Sequence, residues 1–171
     1  MNALADARVA DYLNDTFICT YLKVGTFQII NGQKVDGNVA SYFCLSDGSV
    51  LHAIAGQVGA DKLLAESRWA YETRKSALTL STNLGSDDVD AKKYRAQIKK
   101  AHTERYYAEV NRWQGNQQAS LPMALPMHRS QQAQTHWLLG NSPLAKLDTV
   151  YPFVWERILK EKLSGVPVEN R

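Results

Sequence analysis

The sequence predicts an α/β chain, a small sheet with flanking helices followed by an all-helical extension. Three observations predict it. The β-prone runs all lie before residue 57. Two of them, "YFCL" and "SVLHAIAG", are joined through Asp47-Gly48, a strong hairpin signal. From residue 59 onward, apolar residues recur at helical spacing.

Residues 3–14, "ALADARVADYLN", read as a short helix with Leu4, Val9, Tyr12 and Leu13 loosely on one face. Asn14-Asp15 supply its stop. "TFICTYLKV" at 16–24 is rich in β-branched and aromatic residues and predicts a strand. Residues 25–38 hold two turn dipeptides, Asn31-Gly32 and Asp36-Gly37, and read either as a small hairpin or as an irregular loop. Residues 39–45 and 50–56 are strands around the Asp47-Gly48 turn. A helix is expected over 59–82, with Leu63, Leu64, Ser67, Ala70 and Ala77 inward.

The texture changes at 82–87, which sets the expected boundary between an α/β unit, 1–82, and a helical extension, 83–171. Ser86 or Asp87 can cap the next helix with a side-chain oxygen. That helix should run over 88–114, with Tyr94, Ile98, Ala101, Tyr106, Val110 and Trp113 as its apolar stripe. A Pro-containing connector follows at 115–127, then helices at 129–139 and 147–164. Pro152 sits in the first turns of the last helix, where a missing N–H costs little.

An apolar fraction of 44% and a charged fraction of 22% are those of a globular chain able to bury a core without disulfides. The net charge of +3 does not by itself point to nucleic acid. No apolar run approaches the ~18–20 residues of a membrane span. Asp6, Asp11 and Asp15 spoil any signal-peptide pattern at the start, and nothing fixes the compartment. Cys19 and Cys44 form no CxxC pair; each lies in a strand-like run, where a free Cys is expected to be a buried thiol.

The order helix, strand, loop, strand, Asp-Gly turn, strand, glycine, helix resembles the C-terminal two-thirds of the thioredoxin-like fold family. The resemblance rests on "YLNDTFICTYLKV" and "YFCLSDGSVLHAIAGQVGADKLLAE" and covers about residues 3–80. It implies an incomplete or rearranged thioredoxin-like sheet, since the family's first strand, helix and central strand have no counterpart. It also implies a family site that this sequence lacks. The CxxC would fall before residue 1, and the cis-proline would fall near Val39-Ala40, whereas no Pro precedes Pro122. The expected function is therefore a non-catalytic interaction or structural module. Its alternatives are the C-terminal part of a thiol-disulfide oxidoreductase whose cysteines lie upstream, and a nucleic-acid binder using the basic helix 91–113. Removing a central strand exposes backbone N–H and C=O groups, which makes self-association the expected partner reading, with "GTFQIIN" at 25–31 as the rival replacement strand.

No residue is assigned here as catalytic, cofactor-binding or metal-ligating. His52 could approach Cys44 across the hairpin, but a core thiol beside a strand histidine is the plainer account. His52, His102, His128 and His136 show no HxH or HxxxH spacing and read as scattered core or surface residues. Between 91 and 113, seven Lys or Arg stand against two Glu, with Tyr94, Tyr106, Tyr107 and Trp113 interleaved. Aromatics among basic residues can bind nucleic acid by stacking, but these recur at helical spacing, as a core stripe does. Tyr151, Phe153 and Trp155 cannot all share one helix face, which can leave apolar surface for a partner or for self-association, with core packing as the plainer use.

Overall fold

The computed structural model describes residues 3–21, 28–30, 33–35, 38–82, 88–111 and 121–161. The chain is mixed α/β and mostly helical. After a 3-10 turn, helix α1 (Ala7–Thr16) starts at Asp6, whose carboxylate accepts the Arg8 backbone N–H at 3.0 Å. The strand expected at 16–24 is corrected over residues 17–21, which carry no strand pairing; residues 22–24 lie outside the described residues. Phe17 supplies the reason. Its N–H closes α1 on the Leu13 carbonyl at 2.8 Å, and its ring turns back onto Phe43 at 5.3 Å. That leaves Ile18 and Tyr21 exposed.

Of the two readings of 25–38, the hairpin forms: β1 (Gln28–Ile30) pairs antiparallel with β2 (Gln33–Val35). A second antiparallel pair joins β3 (Ala40–Cys44) to β4 (Val50–Ala55). Gly48 takes φ +79° in their turn, a conformation that needs glycine, and the Leu45 N–H closes the turn on the Ser49 carbonyl at 2.8 Å. The register pairs Phe43 with His52 and Cys44 with Val50, so Leu51 is an extra residue, a β-bulge.

β4 is buried along its whole length because helices cover both of its faces. Leu51 and Ile54 join Val9, Phe43, Leu63, Ala70 and Ile98 in one apolar cluster. Val50, Ala53 and Ala55 join Trp137, Leu139, Val154 and Ile158 in the other. Both cysteines are exposed, which corrects the expectation of buried thiols. Cys44 alternates with the buried Phe43 at the end of β3 and so faces away from it. Cys19 falls in the unpaired segment after α1.

Gly56, at φ +87°, turns the chain from β4 toward α2 (Ala60–Ser81). α3 (Ala91–Asn111) is capped by Asp90, whose Oδ1 accepts from the N–H groups of Lys92 and Lys93 at 2.9 and 3.0 Å. The expected caps, Ser86 and Asp87, lie outside the described residues. Tyr94, Ile98 and Tyr106 are buried as the stripe predicts. α4 (Gln131–Asn141) is capped by the Ser130 hydroxyl. The single helix expected at 147–164 is α5 (Leu147–Phe153) followed by a π-helical turn, Val154–Leu159, that ends at Lys160 with φ +63°. The widening comes directly after Pro152, which has no N–H to give.

α3 packs against both α2 and α4, and α4 packs against β4. Three backbone groups of β4 outside its ladder are taken up within the chain. The Val50 N–H reaches the Ala145 carbonyl at 2.8 Å. The Leu51 carbonyl lies 2.9 Å from His102 Nε2, and the Ala53 carbonyl accepts from the Gln132 amide at 3.4 Å. Side chains from α3 and α4 thus take up carbonyls of β4 that its ladder leaves free. No helix of the described residues is long and apolar enough to cross a membrane.

A buried three-histidine cluster

Three of the four histidines, expected to be scattered, come together. His52 comes from β4, His102 from α3 and His136 from α4, and each is fully buried. Local sequence puts each on the inward register. His52 sits in the all-buried run of β4, His102 follows Ile98 by four residues on the α3 stripe, and His136 lies in the buried stretch of α4 from Ala133 to Gly140. His128 is exposed and takes no part.

One nitrogen of each of the three rings lies within 4.8 Å of the others. The ring centroids are 5.2 Å apart for His102 and His136, 5.3 Å for His52 and His136, and 5.9 Å for His52 and His102. Imidazoles sharing one ion through bonds of about 2.0–2.1 Å have centroids about 5 Å apart. The indole of Trp69, from α2, stands close to perpendicular to all three rings, with centroid distances of 4.8, 5.2 and 5.3 Å.

The outer nitrogens are anchored. His52 Nε2 lies 2.9 Å from Glu66 Oε2, and an ionised carboxylate only accepts, so Nε2 carries the proton. The Leu51 carbonyl fixes the proton of His102 on Nε2 in the same way. His136 Nε2 faces the Gln132 amide at 3.3 Å. The Nδ1 atoms remain. Those of His102 and His136 are 2.9 Å apart, a distance at which one must donate to the other. His52 Nδ1 is buried with no partner, a state that costs about 1–3 kcal/mol.

Glu66 is itself only 1% exposed. Its Oε1 accepts from Lys62 Nζ at 2.7 Å and from Arg105 at 2.9 Å, and its Oε2 accepts from Arg105 at 3.0 Å as well as from His52. Burial alone would push this carboxyl up; the His52 hydrogen bond, with Lys62 and Arg105 beside it, brings it down to about 2. Arg105 also lies over the Trp69 ring, 5.0 Å from its centroid. Burial pushes the imidazoles the other way. His102 is lowered to about 3 by desolvation and the neighbouring His52; His52 and His136 are lowered chiefly by desolvation. All three are therefore neutral at physiological pH, the form that binds metals.

Arg105 was counted in the sequence with a basic face and instead points inward, while Tyr94 and Tyr106 are unavailable for stacking on a base. No family model, curated protein or solved structure matches the chain.

Proposed function

We propose that this chain binds one first-row transition-metal ion between His52, His102 and His136, and that it is a metal-stabilised structural module rather than an enzyme. The observation that carries the reading is the anchoring of the outer nitrogens. A ligating histidine characteristically gives its other ring N–H to a carboxylate or carbonyl, and here Glu66 and the Leu51 carbonyl receive them. An ion in the middle satisfies the orphaned Nδ1 of His52 and replaces the proton shared by His102 and His136. His136 then carries its proton on Nε2 and needs an acceptor there, whereas the Gln132 amide nitrogen, 3.3 Å away, is the group that also donates to the Ala53 carbonyl. A hydrogen-bonded core without metal leaves one buried lone pair unused. Burial of all three ligands supports a structural role, since a catalytic ion needs an open position.

Of the thioredoxin-like reading only the order α1, β3, Asp-Gly turn, β4, α2 remains, since residues 17–21 form no strand, and the open edge of β4 is taken up by side chains of α3 and α4. Because that edge is filled from within, the reading needs no second copy.

The test is refolding of the full chain with and without metal. Refolded with Zn2+, Cu+, Co2+ or Ni2+, the protein should hold one ion and melt higher; at a free-metal level ~100-fold above Kd the gain is about 2.7 kcal/mol. His52→Ala and His136→Ala should lose the ion, while His128→Ala keeps it. Identical melting with and without every metal would refute the proposal.

A further inference from the structure

We infer that the ion suited to this cluster is monovalent copper, held three-coordinate by the imidazoles, with Trp69 standing in the place of a fourth ligand. This rests on the metal-site reading above and adds to it the charge and coordination number of the ion.

Three features point there. The first is donor count. Among the described residues the metal-binding group is the three histidines and nothing more. Glu66, the nearest carboxylate, is engaged by His52, Lys62 and Arg105. The second is Trp69. Its ring is within 5.3 Å of every imidazole centroid, so the four rings mark the corners of a near-regular tetrahedron. The fourth corner, where Zn2+ would take a water or another side chain, is filled by an indole. An indole has an N–H to donate and no lone pair to give.

The third is charge. The ligands are neutral, and the one buried carboxylate is matched by two cations, Lys62 and Arg105. The site offers no net negative charge to an incoming ion. The cost of burying an ion rises with the square of its charge, about fourfold from monovalent to divalent. Imidazole nitrogen suits both zinc and copper, although Cu(I) is the softer ion and prefers sulfur, so donor type does not choose Cu(I) over zinc. Coordination number and charge do, and both favour Cu(I), a d10 ion content with three ligands, over Zn2+, which would keep two charges and lack a fourth donor.

The experiment is equilibrium competition with the full chain under anaerobic, reducing conditions. Cu+ is titrated against bicinchoninate, and Zn2+ against a chromophoric chelator. Expected is one Cu+ per chain, bound more tightly than Zn2+ by more than about tenfold. Trp69→His supplies a fourth imidazole and should reverse the preference. X-ray absorption of the Cu+-loaded wild-type protein should show a three-nitrogen shell, a readout that does not depend on any variant folding. Zn2+ bound as tightly as Cu+, or a four-ligand copper shell, would overturn the inference and leave the metal site standing. Failure of every metal to bind would remove both.

Discussion

Asp47 and Glu66 look alike on paper. Each accepts a lysine ammonium at 2.7 Å, each takes further hydrogen bonds, and each is held at about 2. Their surroundings differ. The Asp47 side chain is 59% exposed at the tip of the β3–β4 turn, where Lys146 and the N–H and hydroxyl of Ser49 hold it. Glu66 lies under α3 with its second oxygen on His52. By linkage a depressed pKa is itself a statement of the stability lost on protonation, but at an exposed site solvent screening discounts it. At Asp47 water stands ready to replace each partner. At Glu66 the loss strands a buried histidine N–H and an inward-turned guanidinium.

Glu66→Gln should therefore cost the most of any single change in either network, about 3 kcal/mol, read as the drop in urea-unfolding free energy at neutral pH. A loss no larger than that of Asp47→Asn would mean that Arg105 simply swings out to solvent. Acid titration sharpens the same contrast. Glu66 has a folded value near 2 against an ordinary 4.5, so its contribution is full above 4.5 and is lost as pH falls toward 2. Wild-type stability should decline through that window, and Glu66→Gln should decline less. Parallel curves would place the acid sensitivity elsewhere. Lys62→Met comes next. Lys62 is partly exposed, and Arg105 still serves Glu66, so ~0.5–1 kcal/mol is expected. Asp47→Asn should be the smallest, a slight loss at low salt that disappears in concentrated salt, where an exposed pair is screened. A salt-independent loss would show that the turn depends on the Asp47 bonds to Ser49 rather than on Lys146.

The same division between local and distant interactions explains what the sequence made legible. The Asp47-Gly48 hairpin, the long helix after Gly59 and the α3 stripe of Tyr94, Ile98 and Tyr106 are local patterns, written in turn chemistry and periodicity. Phe17 misled because its β propensity is real, but its ring found Phe43, and tertiary contact overrode propensity. The histidine cluster was illegible as a motif. Its members lie 34 or more residues apart on three elements, so no spacing rule joins them. A weaker signal was present: His52, His102 and His136 each occupy a position whose neighbours at the right period are apolar. One polar residue on a buried register has many uses; three on elements that pack together call for a shared partner.

The Leu51 and Ala53 carbonyls carry a consequence for how the chain is made. The β3–β4 hairpin closes through a turn of a few residues and can form as soon as it is synthesised. The groups that occupy the Leu51 and Ala53 carbonyls, His102 and Gln132, come 51 and 79 residues later. At about 5–20 residues per second, the wait for Gln132 is several seconds or more. Throughout it the nascent hairpin presents an open β-edge with apolar faces. That edge is therefore an aggregation hazard of the nascent chain, and slow elongation between α2 and α4 would lengthen it.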